Sequence, residues 1–255
     1  MAEKVRLYVV PGSHPSLAAE LMLQRKGIEY KRTDLPPVIS RFAVRRLLRF
    51  PGDRVPAMKI DGRKVQGSLE VSRELDVLRP DPPLFPADPD RRKRVEEAEK
   101  WGSDYFQELP RKISWWGLKR RKADQASFLE GFRLGLPTRV LVATSPPLIR
   151  MAIRLNDSSD EVVRECIAAI PAALDKIDNL IAEGVIGGEE PNAADFQLAT
   201  TVRLLMAFED FTPAIDRRPA GAFARRIVQS APGHVGPVFP SSWLAPLDAA
   251  VAASS

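Results

Sequence analysis

The chain has 255 residues, 44% of them apolar and 28% charged, the balance of a globular protein that can bury a core of its own. No apolar run approaches the length of a membrane span and the N-terminus lacks an apolar leader, so the expectation is a cytoplasmic protein with no membrane partner. A single cysteine, Cys166, excludes an internal disulfide framework, and two histidines leave too few ligands for a structural metal site.

Lys4 to Val10 is a β-rich run that ends at Pro11-Gly12. Ser13-His14-Pro15-Ser16 comes next and opens a helical pattern with the pairs Leu17/Leu21 and Ala18/Met22, closed by Gly27. Ile28 to Thr33 forms a second strand, and after Pro36-Pro37 a short helix covers Phe42 to Leu48. Val55 to Ile60 is the third strand, Asp61-Gly62 a type I′ hairpin turn, and Lys64 to Gln66 the fourth strand. Pro56 cannot donate to a ladder and belongs at a strand start or edge. Gly67-Ser68 opens an amphipathic helix with Val71, Leu75 and Leu78 on one face. A βαβ unit followed by ββα makes a small mixed sheet with helices on its faces.

Val55-Pro56, the Asp61-Gly62 hairpin and the Gly67-Ser68 helix start together resemble the thioredoxin-like domain of glutathione transferases. The resemblance implies an α/β thioredoxin-like N-terminal domain followed by an all-α helical bundle. It implies a cis Val55–Pro56 bond, with the Val55 main chain pairing with the cysteinyl backbone of glutathione and Ser68 binding the γ-glutamyl carboxylate. The family usually carries Glu or Gln where this chain has Gly67, so one side-chain contact to that end of the thiol is missing.

The proline-rich stretch from Arg79 to Pro89 is stiff and separates two differently patterned halves. The expected division is a thioredoxin-like domain over 1–79, a linker over 80–89, a helical domain over 90–247 and a tail over 248–255. Val95, Ala98, Gly102, Tyr105, Phe106 and Leu109 keep a three-four spacing, which predicts a long helix from Asp90 to Leu109. A further helix is expected over Ser127 to Leu136, with Pro137, Pro146 and Pro147 interrupting the stretch beyond it. Val163, Ile167, Ile170, Leu174, Ile177 and Ile181 repeat the pattern, with a kink or break at Pro171. Asn192 and Asp195 form a variant capping box before an almost wholly apolar helix from Phe196 to Phe208. This is a second resemblance, since the family's helical domain carries a Ser/Thr-x-x-Asp box here.

Thiol transfer needs a thiolate, and a hydroxyl at a helix start can stabilise one by hydrogen bonding. In the family a catalytic serine or cysteine stands where Ser13 lies, so Ser13 is the candidate catalyst and Ser16 the second choice. The plainer role for Ser13 is a helix cap, and the two roles are compatible. The expected thiol-binding set is Ser16, Val55, Pro56, Gly67 and Ser68, with Arg41 or Arg45 available to a glycyl carboxylate. Tyr105, Trp115 and Trp116 are the aromatic candidates for an acceptor pocket, the tryptophans taken to lie near a helix end. His14 reads as a solvent-facing neighbour of the site, Cys166 as a quiet buried thiol and His234 as part of a loop.

The charge of +5 gathers at Arg41, Arg45 and Arg46, at residues 91–94 and at residues 119–122. No recognition motif accompanies these runs, so they are solvated helix faces and no nucleic-acid partner is expected. The resulting expectation is a homodimeric enzyme. It activates glutathione or another low-molecular-weight thiol, with no metal, for conjugation to or isomerisation of a hydrophobic electrophile. The alternative is a non-catalytic relative that binds an apolar ligand or a protein partner. A disulfide or dehydroascorbate reductase is disfavoured, because no cysteine occurs between Ser13 and Ser16.

Overall fold

Leu7 and its neighbours set the architecture, because strand β1 (Val5–Val9) is covered on both faces. Val5, Leu7 and Val9 enter the main core, whereas Tyr8 joins a small cluster with Val44, Phe50 and Ala57 on the other side. The computed structural model describes residues 4–37, 39–131, 133 and 135–253. In it β1 pairs in parallel with β2 (Tyr30–Asp34) and antiparallel with β3 (Ala57–Ile60), which pairs antiparallel with β4 (Arg63–Gln66). The sheet order is β2-β1-β3-β4, the mixed thioredoxin-like arrangement. Helix α1 (His14–Arg25) packs beside α3 (Ser68–Leu78), whereas α2 (Ile39–Phe42) continues as a π-helical turn, Ala43–Leu47, and delivers Val44 to the small cluster. Asp61 and Gly62 both have positive φ, 48° and 88°, as a type I′ turn requires. The Val55–Pro56 peptide is cis, and the third strand begins one residue later than Pro56.

The connection between the halves is held by a buried lysine. Lys26 comes directly after the last turn of α1, and its side chain has no exposure. Its Nζ donates to Asp76 Oδ1 at 2.8 Å and to the carbonyls of Arg79 and Pro82 at 2.7 Å each. Asp76 Oδ1 also accepts from the Leu84 amide at 2.7 Å, and Leu84, fully buried, uses its carbonyl to receive the Ala193 amide at 2.9 Å. Three ammonium protons thus meet three acceptors, which makes burial of the charge tolerable.

Beyond the linker the chain is helical. Asp88 caps α4 (Pro89–Trp101) by accepting from the Arg91 amide, and Pro89 occupies the first turn. A π-helical turn, Gly102–Phe106, brings Gly102 so close to Leu198 that a Cβ would collide with it. The helical path does not end at Leu109 as expected, because α5 runs over Glu108–Arg120. Pro110 lies in its first turn, where an amide proton is not needed. The helix expected over 127–136 is instead a 3-10 segment over Lys122–Leu129; of the remainder, residues 132 and 134 lie outside the described residues.

Helix α6 (Thr138–Asn156) continues through Pro146 and Pro147, which were expected to interrupt it. Pro146 cannot serve the Val142 carbonyl, and Ser145 Oγ does so instead at 2.8 Å. Helix α7 (Asp160–Ala182) likewise passes Pro171 as one element. Helix α8 (Ala193–Leu205) is buried on nearly every side, and both halves of the Asn192/Asp195 capping box are formed. Burial outweighs the capping hydrogen bonds and pushes the Asp195 carboxyl up to about 6. Helices α9 (Thr212–Asp216), α10 (Pro219–Ile227) and α11 (Ser241–Ala253) complete the bundle. α11 reaches into the expected tail because Leu247 and Trp243 pack on the core; residues 254–255 lie outside the described residues.

α1 packs on α8, so a single apolar core runs from the sheet into the bundle. At this joint Glu99 of α4 is wholly buried and accepts from Ser72 Oγ at 2.7 Å and from the Arg73 guanidinium. Burial pushes its carboxyl up to about 7, against the opposing pull of Arg73 and Ser72.

Replacing Lys26 by Met leaves the Asp76 carboxylate and two carbonyls without their donor. The expected loss is about 3–5 kcal/mol in denaturant unfolding. A loss under about 1 kcal/mol would show that the joint does not depend on this ammonium.

Candidate active site

The turn after β1 places the first functional group. Pro11-Gly12 reverses the chain with Gly12 at φ 73°, and the Ser13 amide closes the turn onto the Val10 carbonyl at 3.0 Å. Ser13 is the N-cap residue of α1, yet its hydroxyl makes no capping hydrogen bond. It accepts instead from Ser16 Oγ at 3.1 Å, which leaves the Ser13 proton free to donate. The plainer capping role is therefore not the one its side chain performs.

A cavity of about 500 Å³ opens in front of Ser13, between the loops of the sheet domain and helices α5 and α6. Its charged groups are matched apart from Lys112 and Asp157, which have no ion-pair partner among the described residues. Arg41 Nε meets Asp53 Oδ2 at 2.8 Å, Arg111 pairs with Glu108, and Arg54 lies 3.8 Å from Glu108. Burial, more than its neighbours, pulls the Arg111 guanidinium down from its ordinary value. The remaining wall is largely apolar, with Trp115, Leu118, Phe128, Leu148 and Ile149. The Phe128 ring lies against both Gly12 and Gly233, at places where a Cβ would come within 3.0 and 2.5 Å of it. These two glycines let an aromatic ring rest directly on the Ser13 turn.

Of the residues singled out in the sequence, Ser13, His14, Arg41, Val55 and Trp115 line this cavity. Among the described residues neither the amide nor the carbonyl of Val55 bonds to another main-chain group, since the ladder starts at Ala57. Pro56 and Ser16 are buried behind the wall, Ser16 supporting Ser13. Gly67 caps α3 with φ 98°, its amide bonded to the Pro56 carbonyl at 2.9 Å. Ser68 is only 5% exposed and stands outside the cavity, because the first turn of α3 faces into the sheet domain. The Glu70 carboxylate folds back over Gly67, where a Cβ would run into it. A negative charge of the chain itself thus sits at the helix start that the sequence assigned to a ligand carboxylate.

Three readings change. Tyr105 is 47% exposed and outside the cavity, because the π-helical turn rotates it outward while Phe106 goes into the core. Trp116 is in the middle of α5, not near its end, and is buried against Phe239 and Trp243 with its indole donating to Asp160 Oδ1 at 2.8 Å. His14 faces inward rather than to solvent and is 5% exposed. Burial first, and Arg111 second, hold its imidazole well below the usual pKa of 6.5. Cys166 is in the core with its thiol pushed up by burial, and His234 is an exposed loop residue 3.0 Å from Glu209. Arg41 lines the cavity, while Arg45 does not. Among the described residues no three His, Cys, Asp or Glu side chains gather as metal ligands.

Glu108, Arg111 and Leu118 were not singled out in the sequence. With Trp115 they form a three-four-three stripe on α5, so the period that marks a buried face here marks a cavity wall.

Residues 7–83 match the family model described as the glutathione S-transferase N-terminal domain. Over these residues the chain is similar to the N-terminal domain of glutathione S-transferases. The probable maleylacetoacetate isomerase 1 of Drosophila melanogaster is 34% identical over 101 residues, a stretch that covers 38% of this chain and 41% of that protein. Two solved structures share the fold over nearly the full length. A β-etherase, LigF, from Sphingobium sp. strain SYK-6 has a TM-score of 0.57 at 20% identity, covering 89% of this chain and 100% of its own. A glutathione S-transferase from Rhodospirillum rubrum F11 has a TM-score of 0.56 at 16% identity, covering 96% and 99%.

The burial of His14 has a measurable sign. A histidine whose folded pKa is depressed penalises the folded state once the unfolded chain takes up a proton. Stability linked to His14 is therefore expected to be full above pH 6.5 and to fall as pH drops below it. Unfolding of wild type and His14→Asn at pH 8 and pH 5.5 checks this, the variant losing less on acidification.

Proposed function

We propose that the protein is a glutathione transferase-like enzyme that activates a small-molecule thiol, glutathione or another of low molecular weight, for conjugation to or isomerisation of a hydrophobic electrophile. One observation carries this reading. Ser13 holds a hydroxyl proton free at the start of α1, its oxygen already receiving Ser16, and faces a largely apolar cavity. A hydroxyl in that state donates to sulfur and favours thiolate over thiol, aided by the positive end of α1. The open main chain of Val55 offers one donor and one acceptor to the backbone of a cysteinyl thiol. The start of α3 at Gly67 and Ser68, with Pro56 behind it, is the proposed seat for the far end of that thiol; Ser68 is buried there and Glu70 covers Gly67, so the seat opens only when the Glu70 side chain swings away. Trp115 walls the acceptor side, and Arg41, rather than Arg45, is placed for a terminal carboxylate.

Ser13→Ala is expected to reduce conjugation of chlorodinitrobenzene about 10- to 100-fold at pH 6.5 with little change in stability. The gap should narrow above pH 8.5, where a free thiol ionises unaided. An equal loss at both pH values would remove Ser13 from thiolate formation. The Glu70 carboxylate beside Gly67 favours a second reading, an apolar-ligand module in which the thiol seat is closed. Glu70→Gln separates the two. Tighter retention on immobilised glutathione, by about two- to fivefold, supports the thiol seat. If neither protein is retained or active, the binding module takes its place.

The enzyme works as a two-fold cytoplasmic homodimer in this reading. Ile39, Phe42 and Leu47 leave apolar side chains exposed on the sheet domain, which supports a partner there. Light scattering at micromolar protein is expected to give twice the 28.3 kDa of one chain, and a single-chain mass would reject the dimer.

A further inference from the structure

Helix α6 is weakly covered for its length. Of its 19 residues only Ile149 and Ala152 are buried, and it packs against α5 and the Lys122–Leu129 segment. On its outer side Val140, Pro147 and Met151 recur at helical spacing and make one apolar stripe along the axis. Val140 is 40% exposed, Met151 and Leu155 are 50% each, and Leu136, just before the helix, is 55%. Leu155 also lines the cavity, so the stripe runs on to the cavity wall.

The charge beside this stripe has one sign. Arg139, Arg150 and Arg154 stand in a row along its other flank, all exposed. Among the described residues none of the three has an ion-pair partner. Arginines elsewhere in the chain answer a carboxylate, as Arg73 does Glu99, Arg218 Asp175 and Asp178, and Arg225 Asp216. Between Glu130 and Asp157 the sequence contains no acidic residue, in a chain that has 33 of them. A helix with aliphatic side chains turned outward beside unanswered arginines has the make-up of one that lies in a membrane interface.

We propose that the outer face of α6 docks on an anionic phospholipid surface. Leu136, Val140, Met151 and Leu155 enter the boundary between headgroups and acyl chains, and the three arginines meet lipid phosphates. The contact is peripheral, since among the described residues no helix is long and apolar enough to cross a membrane. The docking stands apart from the transferase reading and needs no thiol chemistry. Lipid fits this face better than a protein does. The exposed side chains are aliphatic, whereas the cores of protein interfaces are enriched in aromatic residues. A partner helix needs a groove, and the outer side of α6 is one convex helix. All three cations are arginines, whose planar forks take phosphate oxygens in pairs. A second copy of the face would bring more arginines and no carboxylate to meet them.

Flotation of the full-length protein with vesicles at low salt tests the proposal. Wild type is expected to float with phosphatidylglycerol and phosphatidylcholine in equal parts, and about tenfold less with phosphatidylcholine alone. Arg150→Gln with Arg154→Gln is expected to weaken binding about 10- to 30-fold. Met151→Ser is expected to weaken it about threefold. Arg91→Gln with Lys93→Gln removes the same charge from an exposed part of α4 and is expected to stay within about twofold of wild type. An equal loss in that control pair, or none in the α6 pair, overturns α6 as the docking face. An unchanged Met151→Ser overturns the insertion of the stripe. Absence of wild type from the anionic vesicles overturns the proposal outright. Retention of wild type, but not of the α6 pair, on polyglutamate would then give the face to an acidic protein.

Discussion

The Lys26 ammonium is the constraint on which the geometry of this molecule depends. It joins the end of α1, the last turn of α3 and the linker carbonyls at one buried point. A charge there is tolerable only if every proton has an acceptor, so the three segments can take few other arrangements. The start of α1, with Ser13 and His14, is the opposite end of the helix that this point anchors. Asp76 extends the constraint to Leu84, and Leu84 to the first residue of α8. The linker is in this sense part of the core, not a tether between two bodies.

The cavity exists because these fixed pieces do not quite close. On the sheet side, Val55 is left out of the ladder by the proline after it, and its polar groups point to no strand. On the helical side, α5 and α6 bring an apolar wall, and Phe128 leans on the turn at Gly12. The matched ion pairs at its rim cancel most of the local charge, so the basic character of the chain is spread over exposed helix faces.

Much of this was legible from local rules. The hairpin at Asp61-Gly62, the capping box at Asn192 and Asp195 and the β-rich run of β1 each come from backbone chemistry within a few residues. Proline was the misleading signal. Pro146 and Pro147 read as interruptions and Pro171 as a kink or break, and the helices continue past all three. At Pro146 the cost was met by the Ser145 hydroxyl, a substitution visible only once the side chains are placed. Tyr105, Trp116 and His14 were misread for a different reason. A π-helical turn shifts the phase of a stripe by a fraction of a turn, and periodicity cannot announce that shift. At His14 it is the bundle packed across the loop, distant in sequence, that turns a helix-start residue inward. The folding back of Glu70 over Gly67 was legible only as a missing side chain, because sequence spacing does not say which neighbour fills the gap.

Glu99 carries a consequence of its own. Its carboxyl, held near 7 by burial at the joint of α3 and α4, keeps a proton that the unfolded chain gives up near 4.5. Between those values unfolding releases that proton to the buffer, and its contribution to stability declines as the solution becomes more alkaline. The heat absorbed on unfolding in mildly acidic solution therefore includes the protonation enthalpy of whichever buffer receives the proton.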